Sequence, residues 1–259
     1  MSCDGAPTAV AQTPAEGLVE ALLRAWECAH AASAAERALH LLAAVWPQYD
    51  RSYWSRLALG DRDACLLLLQ QGLFGGQLRT VAACPACGER LESGFRADEL
   101  CPLPSRLPTP PEPAWLAHRR YRIEYRPPCS DDVIDLDPRR SAEENVARLL
   151  QRCVLSARDG DAPVAVDTLP ATLRKRLIAA MAELDPQADL QLTIACPACQ
   201  HRWQAALDVA GYLWEELDDW AQDLLSEVHV LARHYAWSER DILAMTPVRR
   251  RFYLDLVQA

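Results

Sequence analysis

Two short stretches of the sequence contain the residue types and spacing that could do chemistry. Cys84 and Cys87 lie in "VAACPACGER", and Cys196 and Cys199 lie in "TIACPACQHRW". A Cys-x-x-Cys turn between two strands directs two thiolates to one side, which is half of a tetrahedral zinc site. A structural zinc ion takes four ligands, and each stretch supplies two. We therefore predict one structural Zn²⁺ site formed by Cys84, Cys87, Cys196 and Cys199.

A redox role for the same cysteines needs different surroundings. In dithiol oxidoreductases the first cysteine lies at a helix N-terminus, where the helix dipole lowers its pKa. Here both pairs precede strand-like segments, "GERLESGF" and "QHRWQAAL", so zinc is favoured over a dithiol oxidoreductase. The ligand set stays open in two respects, since Cys101 or His201 could replace a ligand and both pairs could lack metal. Gln200 also stands where zinc knuckles often have glycine.

The other cysteines are scattered along the chain. Cys65 and Cys153 lie within apolar runs and are predicted to be small core residues. No segment has the pattern of a signal peptide, so we expect the reducing cytoplasm, where paired cysteines hold metal more often than they form disulfides. The remaining members of this group are Cys3, Cys28, Cys101 and Cys129.

The overall composition restricts the classes of partner. Half of the 259 residues are apolar, which provides for a sizeable core, and no apolar run approaches the length of a membrane-spanning helix. The formal charge of −9 argues against general binding to nucleic acid, because such binding needs a basic face. Two short basic clusters, "HRRYRIEYR" (118–126) and "VRRRF" (248–252), are predicted to be solvated or ion-paired.

The elements around the two cysteine pairs follow one order twice. A helix starting at Thr13, Pro14 and Glu16 is followed by a second one in "GDRDACLLLLQQGLFGG", with Asp61 as its predicted cap and Gly75 and Gly76 at its end. A strand, the first cysteine pair and another strand come next. The order recurs 112 residues later, where Ser141 and Glu144 predict a capping box. We predict an α+β fold of two related halves that share a zinc-ribbon-like centre.

This pattern divides the chain into four predicted regions. The two halves are 1–100 and 119–208, and the proline-rich segment 101–118 joins them as a linker or an ordered strap. Region 209–259 is predicted to be helical, with Ser238 capping one helix and Thr246 preceding another. His229 and His234 are predicted to be exposed or satisfied histidines. The apolar stripe of the long helix comprises Leu213, Leu217, Trp220, Leu224, Val228 and Leu231.

Motifs for catalysis are missing from the sequence. It contains no nucleophile elbow, phosphate loop or HExxH motif, so we expect no enzyme and assign no catalytic or cofactor-binding residue apart from the metal ligands. An acidic cluster could bind a cation, but a solvated turn is favoured because prolines surround it. Its members are Asp131, Asp132, Asp135 and Asp137.

Several stretches, which include both cysteine pairs, resemble one known family. They are "LGDRDACLLLLQQGLFG" (59–75), "CPACGERLE" (84–92), "CPACQHRW" (196–203), "LWEELDDWAQDLLSEVHVLARHYAWSERDIL" (213–243) and "RRRFYLDLV" (249–257). In these the chain resembles the baseplate hub assembly chaperone family of T-even-type phages. The resemblance is to the longer form found in contractile phage tail and extracellular contractile injection system clusters.

The resemblance implies a function in assembly. It implies a non-enzymatic assembly factor or minor component of the baseplate, present in the cytoplasm or incorporated in the particle. The implied partners are hub, spike or other tail proteins, not nucleic acid or a membrane. Exposed parts of Trp214, Trp220, Trp237 and Tyr253 are then candidate contacts, although aromatic residues at helical spacing are more often core. The competing hypothesis is a zinc-ribbon adaptor between proteins in another pathway, such as transcription. The sequence leaves the oligomeric state open.

Overall fold

The computed structural model describes residues 17–100, 102, 104 and 106–258. The predicted cap at Thr13 and the residues Cys3 and Cys101 lie outside this part of the chain. The fold mixes helices with antiparallel sheet, as the α+β prediction requires. Within the described residues no helix is long and apolar enough to cross a membrane.

Residues 17–100 form a helical layer followed by a hairpin. The helices are α1 (Leu18–Ala29), α2 (Ala34–Val45), α3 (Arg51–Ser55) and α4 (Leu59–Phe74), and the hairpin consists of β1 (Gln77–Ala83) and β2 (Arg90–Arg96). A single turn, α5 (Ala97–Leu100), closes this region. Helix α2 was not predicted, although Ser33 and Glu36 form a complete capping box at its start.

The cap of α4 differs from the prediction. Asp61 lies inside the first turn of α4 and not at its start, so that prediction is wrong. The cap comes from a distant residue, because the Gly60 amide donates a hydrogen bond of 2.9 Å to Asp185 Oδ2. The other end agrees with the prediction, since Gly75 ends the helix with φ of 95°, a left-handed conformation that favours glycine.

The middle of the chain builds a second, four-stranded sheet. Its strands lie in the order β3 (Ala114–His118), β4 (Tyr121–Tyr125), β5 (Val154–Asp159) and β6 (Ala162–Pro163), all antiparallel. Two further helices, α6 (Ser130–Ile134) and α7 (Ala142–Cys153), separate β4 from β5. Strand β3 is formed by the last residues of the proline-rich segment 101–118. The preceding proline-rich residues are strapped to the helical layer, because Tyr53 Oη donates a hydrogen bond to the Pro108 carbonyl.

The described residues after β6 form one α-helix, a second hairpin and the C-terminal helices, with two short 3₁₀ helices at Val166–Thr168 and Pro186–Ala188. These elements are α8 (Ala171–Leu184), β7 (Gln191–Ala195), β8 (Arg202–Ala206), α9 (Val209–Tyr235), α10 (Glu239–Leu243) and α11 (Pro247–Gln258). The predicted caps are confirmed at Ser141, at Ser238 and at Thr246, whose hydroxyl accepts a bond from the Arg249 amide. The stripe of α9 is confirmed too. Its aliphatic members are buried and Trp220 is half-buried.

Two main cores hold these elements. In the first, α1, α2 and α4 pack against the N-terminal half of α9, with Trp46, Trp54 and Leu217 almost fully buried. In the second, α7 and α8 cover one face of the four-stranded sheet around Ile123 and Leu177. The C-terminal half of α9 packs on α10 and α11 in a smaller cluster. Helix α9 therefore joins the first core to the C-terminal helices.

Candidate metal centre

The two predicted cysteine pairs lie at the tips of two separate hairpins. In the first, β1 and β2 pair up to Ala83 and Arg90, which leaves residues 84–89 as the connection. In the second, β7 and β8 pair up to Ala195 and Arg202, which leaves residues 196–201. Both connections have six residues and lead into a strand, so neither cysteine pair lies at the start of a helix. The helix N-terminus that lowers the pKa of the first cysteine in dithiol oxidoreductases is therefore missing at both pairs.

The backbone of the two tips follows the same hydrogen-bond pattern. The Cys84 amide donates to the Glu89 carbonyl at 2.8 Å, and the Cys196 amide donates to the His201 carbonyl at 2.9 Å. Four residues after each first cysteine the chain enters the left-handed region. There Gly88 has φ of 77° and Gln200 has φ of 62°. The position at which Gln200 replaces glycine is thus one that strains a side chain.

The fold brings the two tips together. Cys84 Sγ lies 3.6 Å from Cys199 Sγ, and Cys87 Sγ lies 3.6 Å from Cys196 Sγ. All four sulfur atoms lie within 4.8 Å of one another. With Zn–S bonds of about 2.3 Å, a tetrahedral zinc site places its sulfur atoms roughly 3.8 Å apart. The thiols thus have the number, type and spacing of ligands that a structural metal such as zinc takes.

The ligands differ in exposure and in how readily they ionise. Cys84 and Cys196 are buried, whereas Cys87 and Cys199 are exposed. Burial opposes ionisation of Cys84, but hydrogen bonds from the Ala86 and Cys87 amides lower its pKa to about 7. A hydrogen bond from the Glu89 amide favours the Cys87 thiolate. Hydrogen bonds with the neighbouring thiols nevertheless raise the pKa of Cys87 to about 12. A hydrogen bond from the His201 amide likewise favours the Cys199 thiolate, but partial desolvation of its sulfur and hydrogen bonds with the Cys84 and Cys196 thiols raise its pKa.

Both hairpins are anchored at their bases. In the first, Leu78 is fully buried in the first core, and the Arg79 amide donates a bond of 3.0 Å to Tyr212 Oη on α9. In the second, the Leu207 amide donates to the Leu190 carbonyl at 2.9 Å, and both side chains pack on that core. These contacts hold the base of each hairpin against the first core.

Among the described residues, the other cysteines and the histidine beside the second pair lie outside the cluster of four thiols. His201 is exposed and stacks on Trp203 with ring centroids 6.0 Å apart. Cys65 and Cys153 are fully buried, as predicted. Cys129 is also buried, and Cys28 is exposed.

The acidic cluster proves to be an ion-pair network at α6. Asp132 is buried and accepts bonds of 2.9 Å from Arg126 Nη2 and from the Cys129 amide. Asp131 accepts a bond from Ser55, and Asp135 accepts one from Arg152. A solvated turn was therefore the wrong prediction for Asp132. The network also explains part of the first basic cluster, since Arg126 is the partner of Asp132.

The basic, histidine and aromatic residues of the C-terminal region differ in exposure. In the second basic cluster Arg250 is buried and paired with Glu227 at 3.1 Å, which agrees with the ion-paired interpretation. His229 and His234 are exposed. Trp214 is only 5% exposed and packs under Arg37, so it is not available for a partner. Trp220, Trp237 and Tyr253 are half-buried and keep exposed parts, as the prediction requires. Among the described residues of this region, the large apolar side chains that are mostly exposed are three on α11, which a helical projection would have identified: Val248, Phe252 and Leu256.

Comparison with known proteins adds no relative. No protein-family model, no curated protein and no solved structure matches the chain.

Proposed function

We propose, first, that the chain is a structural zinc protein and not an enzyme. The observation that carries this proposal is the meeting of four thiols from two hairpins at tetrahedral spacing. Four protein ligands complete the coordination of zinc, whereas catalytic zinc sites keep one position open for water or substrate. Cys84, Cys87, Cys196 and Cys199 would hold the ion, and the ion would supply a cross-link between distant parts of the chain.

We propose, secondly, that the chain consists of two related halves around this zinc-ribbon-like centre. The shared pattern at Cys84 and Cys196 supports an origin by duplication, as does a helix that precedes each hairpin, α4 in one case and α8 in the other. The four-stranded sheet has no counterpart among the described residues of the first half. In this interpretation the four-stranded sheet and α7 were inserted into one copy. The insertion accounts for the different numbers of residues between matching elements of the two halves.

The more specific proposal is an assembly factor, or a minor structural component, of the baseplate hub in a contractile tail or injection system. Its support is the resemblance of five stretches, which include both cysteine pairs and most of α9 to α11. The long helix α9 and the exposed apolar side chains of α11 would be available for contacts with such proteins. The partners would be hub, spike or other tail proteins.

Metal analysis tests the first proposal. The protein is purified without chelator and its metal is quantified by elemental analysis, together with Cys84→Ser, Cys196→Ser and the control Cys28→Ser. We expect one zinc per chain in the parent and in the control, because Cys28 lies outside the centre. Both variants of the centre should lose it. A parent without metal, or two zinc ions per chain, would reject the shared site.

Affinity capture tests the assembly proposal. A tagged chain is expressed together with its complete gene neighbourhood, and bound proteins are identified by mass spectrometry. We expect a hub or spike component to be enriched over an identically tagged unrelated protein. Recovery of transcription proteins in place of tail proteins would support the zinc-ribbon adaptor and reject the baseplate proposal.

A further inference from the structure

The C-terminal helix presents an apolar stripe to solvent. Val248, Phe252 and Leu256 are 82%, 61% and 54% exposed, and they follow one another at four-residue steps on α11. The opposite face is covered, since Leu254 is buried against α9 and α10. Three large apolar side chains in one row on a 12-residue helix form the pattern by which a helix docks into a groove.

A groove of matching kind lies between α7 and α8. Two neighbouring cavities of about 580 and 220 Å³ share Val146, Leu150 and Ile178 as lining residues. Val146 and Ile178 are both 41% exposed on the outer walls, and Leu150 is buried. Helices α7 and α8 have 12 and 14 residues, so the groove walls are as long as α11. The groove thus offers an apolar floor between two walls that are about as long as one short helix.

The charges beside the stripe complement those beside the groove. At 100° per residue, Arg249 and Asp255 lie about 60° to either side of Phe252 on α11. Glu143 stands on the α7 wall of the groove, and Lys175 stands on the α8 wall. Among the described residues, Glu143, Lys175 and Arg249 take part in no ion pair, while Asp255 pairs only with Arg251 on its own helix. A docked α11 can therefore place Arg249 against the acidic wall and Asp255 against the basic wall.

The stripe and the groove of one molecule lie in different parts of the structure and do not contact each other. Asp185 lines the groove and accepts a hydrogen bond from the Gly60 amide at the N-terminal end of α4. Phe74, at the other end of α4, shares a cavity with Pro247 and Arg250 of α11. The 16 residues of α4 separate these two places by about 24 Å, and α11 follows α9 after only one short helix. We therefore take the occupant of the groove to be the α11 helix of another molecule.

We propose that the α11 stripe of one copy docks into the α7–α8 groove of a second copy. One contact then removes both exposed apolar surfaces from water. The contact is head-to-tail, because it joins two different surfaces, so each copy keeps a free stripe or groove and the assembly extends until it closes. This self-association is independent of the proposed function, and no tail protein is needed to test it.

Complementing variants provide the test. The full-length chain is compared with Phe252→Glu, which spoils the stripe, and Ile178→Glu, which spoils the groove, by analytical ultracentrifugation over a range of concentrations. We expect the parent to self-associate and each variant to associate at least about tenfold more weakly, because a buried carboxylate is costly. An equimolar mixture should form a 1:1 dimer that grows no further, because it contains a single intact stripe–groove pair. Val81→Glu, at a 58% exposed position on β1, is the matched control.

Three results would contradict the stripe–groove contact. A parent that stays monomeric at every concentration overturns the proposal. If Ile178→Glu associates like the parent while Phe252→Glu does not, the stripe pairs with itself and the groove is not its partner. A mixture that remains monomeric also overturns it. Charge reversal checks the orientation: Arg249→Glu should weaken association, and adding Glu143→Arg to the same chain should restore it.

Discussion

The thiols of the centre hold protons that a metal ion must displace. Cys84, with a pKa of about 7, is partly ionised at neutral pH, whereas the raised pKa values keep Cys87 and Cys199 protonated. Zinc takes thiolates as ligands, so binding must release protons from at least two of these groups. The energetics of the centre therefore depend on pH even though its geometry is already in place.

This proton release predicts a steep pH dependence of metal affinity. Each displaced proton raises the affinity about tenfold per pH unit, so the affinity should rise by more than tenfold between pH 6 and pH 7. Competition with a chromophoric chelator at several pH values measures this slope. Cys28→Ser should give the same slope as the parent. A pH-independent affinity would contradict the assignment of thiolate ligands.

The two hairpin tips also give a matched pair of backbone variants. Gln200 occupies a left-handed conformation that glycine adopts without strain, and Gly88 occupies the equivalent position in the first tip. We expect Gln200→Gly to raise the free energy of unfolding, and Gly88→Ala to lower it, by about 1 kcal/mol each. A Cβ at Gly88 meets no atom within 4 Å, so the φ angle alone is tested. Urea denaturation of both proteins measures the effects, and changes of equal sign would refute the equivalence of the tips.

Asp132 is a buried acidic residue whose ionised form is stabilised by hydrogen bonds. Burial raises its pKa, but hydrogen bonds from Arg126 and from the Cys129 amide outweigh burial and hold the pKa below its ordinary value. A lowered folded-state pKa stabilises the fold above the unfolded value of about 3.9, and this stabilisation is lost as pH falls through the folded pKa. Stability should therefore decrease on acidification below about pH 4.

Asp132→Asn tests this assignment. At pH 7 it should lower the free energy of unfolding by about 2 to 3 kcal/mol, because Arg126 loses its charged partner in a partly buried site. The difference in the free energy of unfolding between variant and parent should become smaller at pH 3, because the Asp132 carboxylate of the parent is closer to protonation there. Urea denaturation at both pH values measures it, with Asp161→Asn in an exposed turn as control. An equal difference at both pH values would contradict the pKa direction.

At the scale of elements, α4 depends on a residue that is 125 positions away. Asp185 caps its start, and the turn after Asp185 approaches Gly60 so closely that an added Cβ would lie 2.1 Å from Asp185 Oδ1 and 2.8 Å from the Ala188 amide nitrogen. The amide nitrogen belongs to backbone, which cannot move aside as a flexible side chain can. This contact joins the first helical layer to the end of α8, and only glycine fits there.

Three substitutions at this contact have distinct expected costs. Asp185→Ala should cost about 1 kcal/mol as a lost cap, whereas Asp61→Ala should change stability by less than about 0.5 kcal/mol. Gly60→Ala should cost about 2 to 3 kcal/mol through the clash. Gly94→Ala is its control, because nothing lies within 4 Å of that position. Thermal and urea unfolding measure all four, and a neutral Gly60→Ala would show that the approach is looser than the structure has it.

Sequence patterns predicted elements where the signal is local. The Ser141 capping box, the stripe of α9 and the glycine stop of α4 each depend on residues a few positions apart, and all three are present. The same kind of signal was available for α2 at Ser33 and was missed. The Asp185 cap could not be predicted, because it depends on a tertiary contact. The turn between β3 and β4 gave no signal either, since Arg119 takes its left-handed position in place of glycine.

The candidate site was more predictable than the fold around it. The four ligands follow from the type and spacing of Cys84, Cys87, Cys196 and Cys199, and the structure gathers those four. The sequence could not show how the hairpins are held, because Leu78, Tyr212 and Leu207 act through packing and one distant hydrogen bond.

At the scale of the whole molecule, zinc at this centre would close a loop of more than a hundred residues. Cys84 and Cys196 are 112 positions apart, and the loop between them contains the proline-rich strap and the whole second core. Cross-linking a loop of about 100 residues stabilises a fold by at most about 4.7 kcal/mol through the entropy of the unfolded chain. Metal bound to the folded state alone adds to stability in the same direction.

A shared centre predicts that its variants are not additive. Cys84→Ser and Cys196→Ser should each lower the free energy of unfolding by about 2 to 4 kcal/mol in the presence of zinc, since either one opens the loop. The double variant should lose little more than the larger single loss, because the cross-link can be removed only once. Two independent sites, one in each hairpin, would instead give losses that add.

Removal of the metal by a chelator provides the reference state for comparing the single and double cysteine variants. With excess chelator the parent, both single variants and the double variant should unfold within about 0.5 kcal/mol of one another, because none retains the cross-link. Urea denaturation with and without chelator measures the four proteins. Cys28→Ser should follow the parent under both conditions. A chelator effect that persists in the double variant would place a metal elsewhere in the chain, and additive losses in zinc would divide the centre into two separate sites.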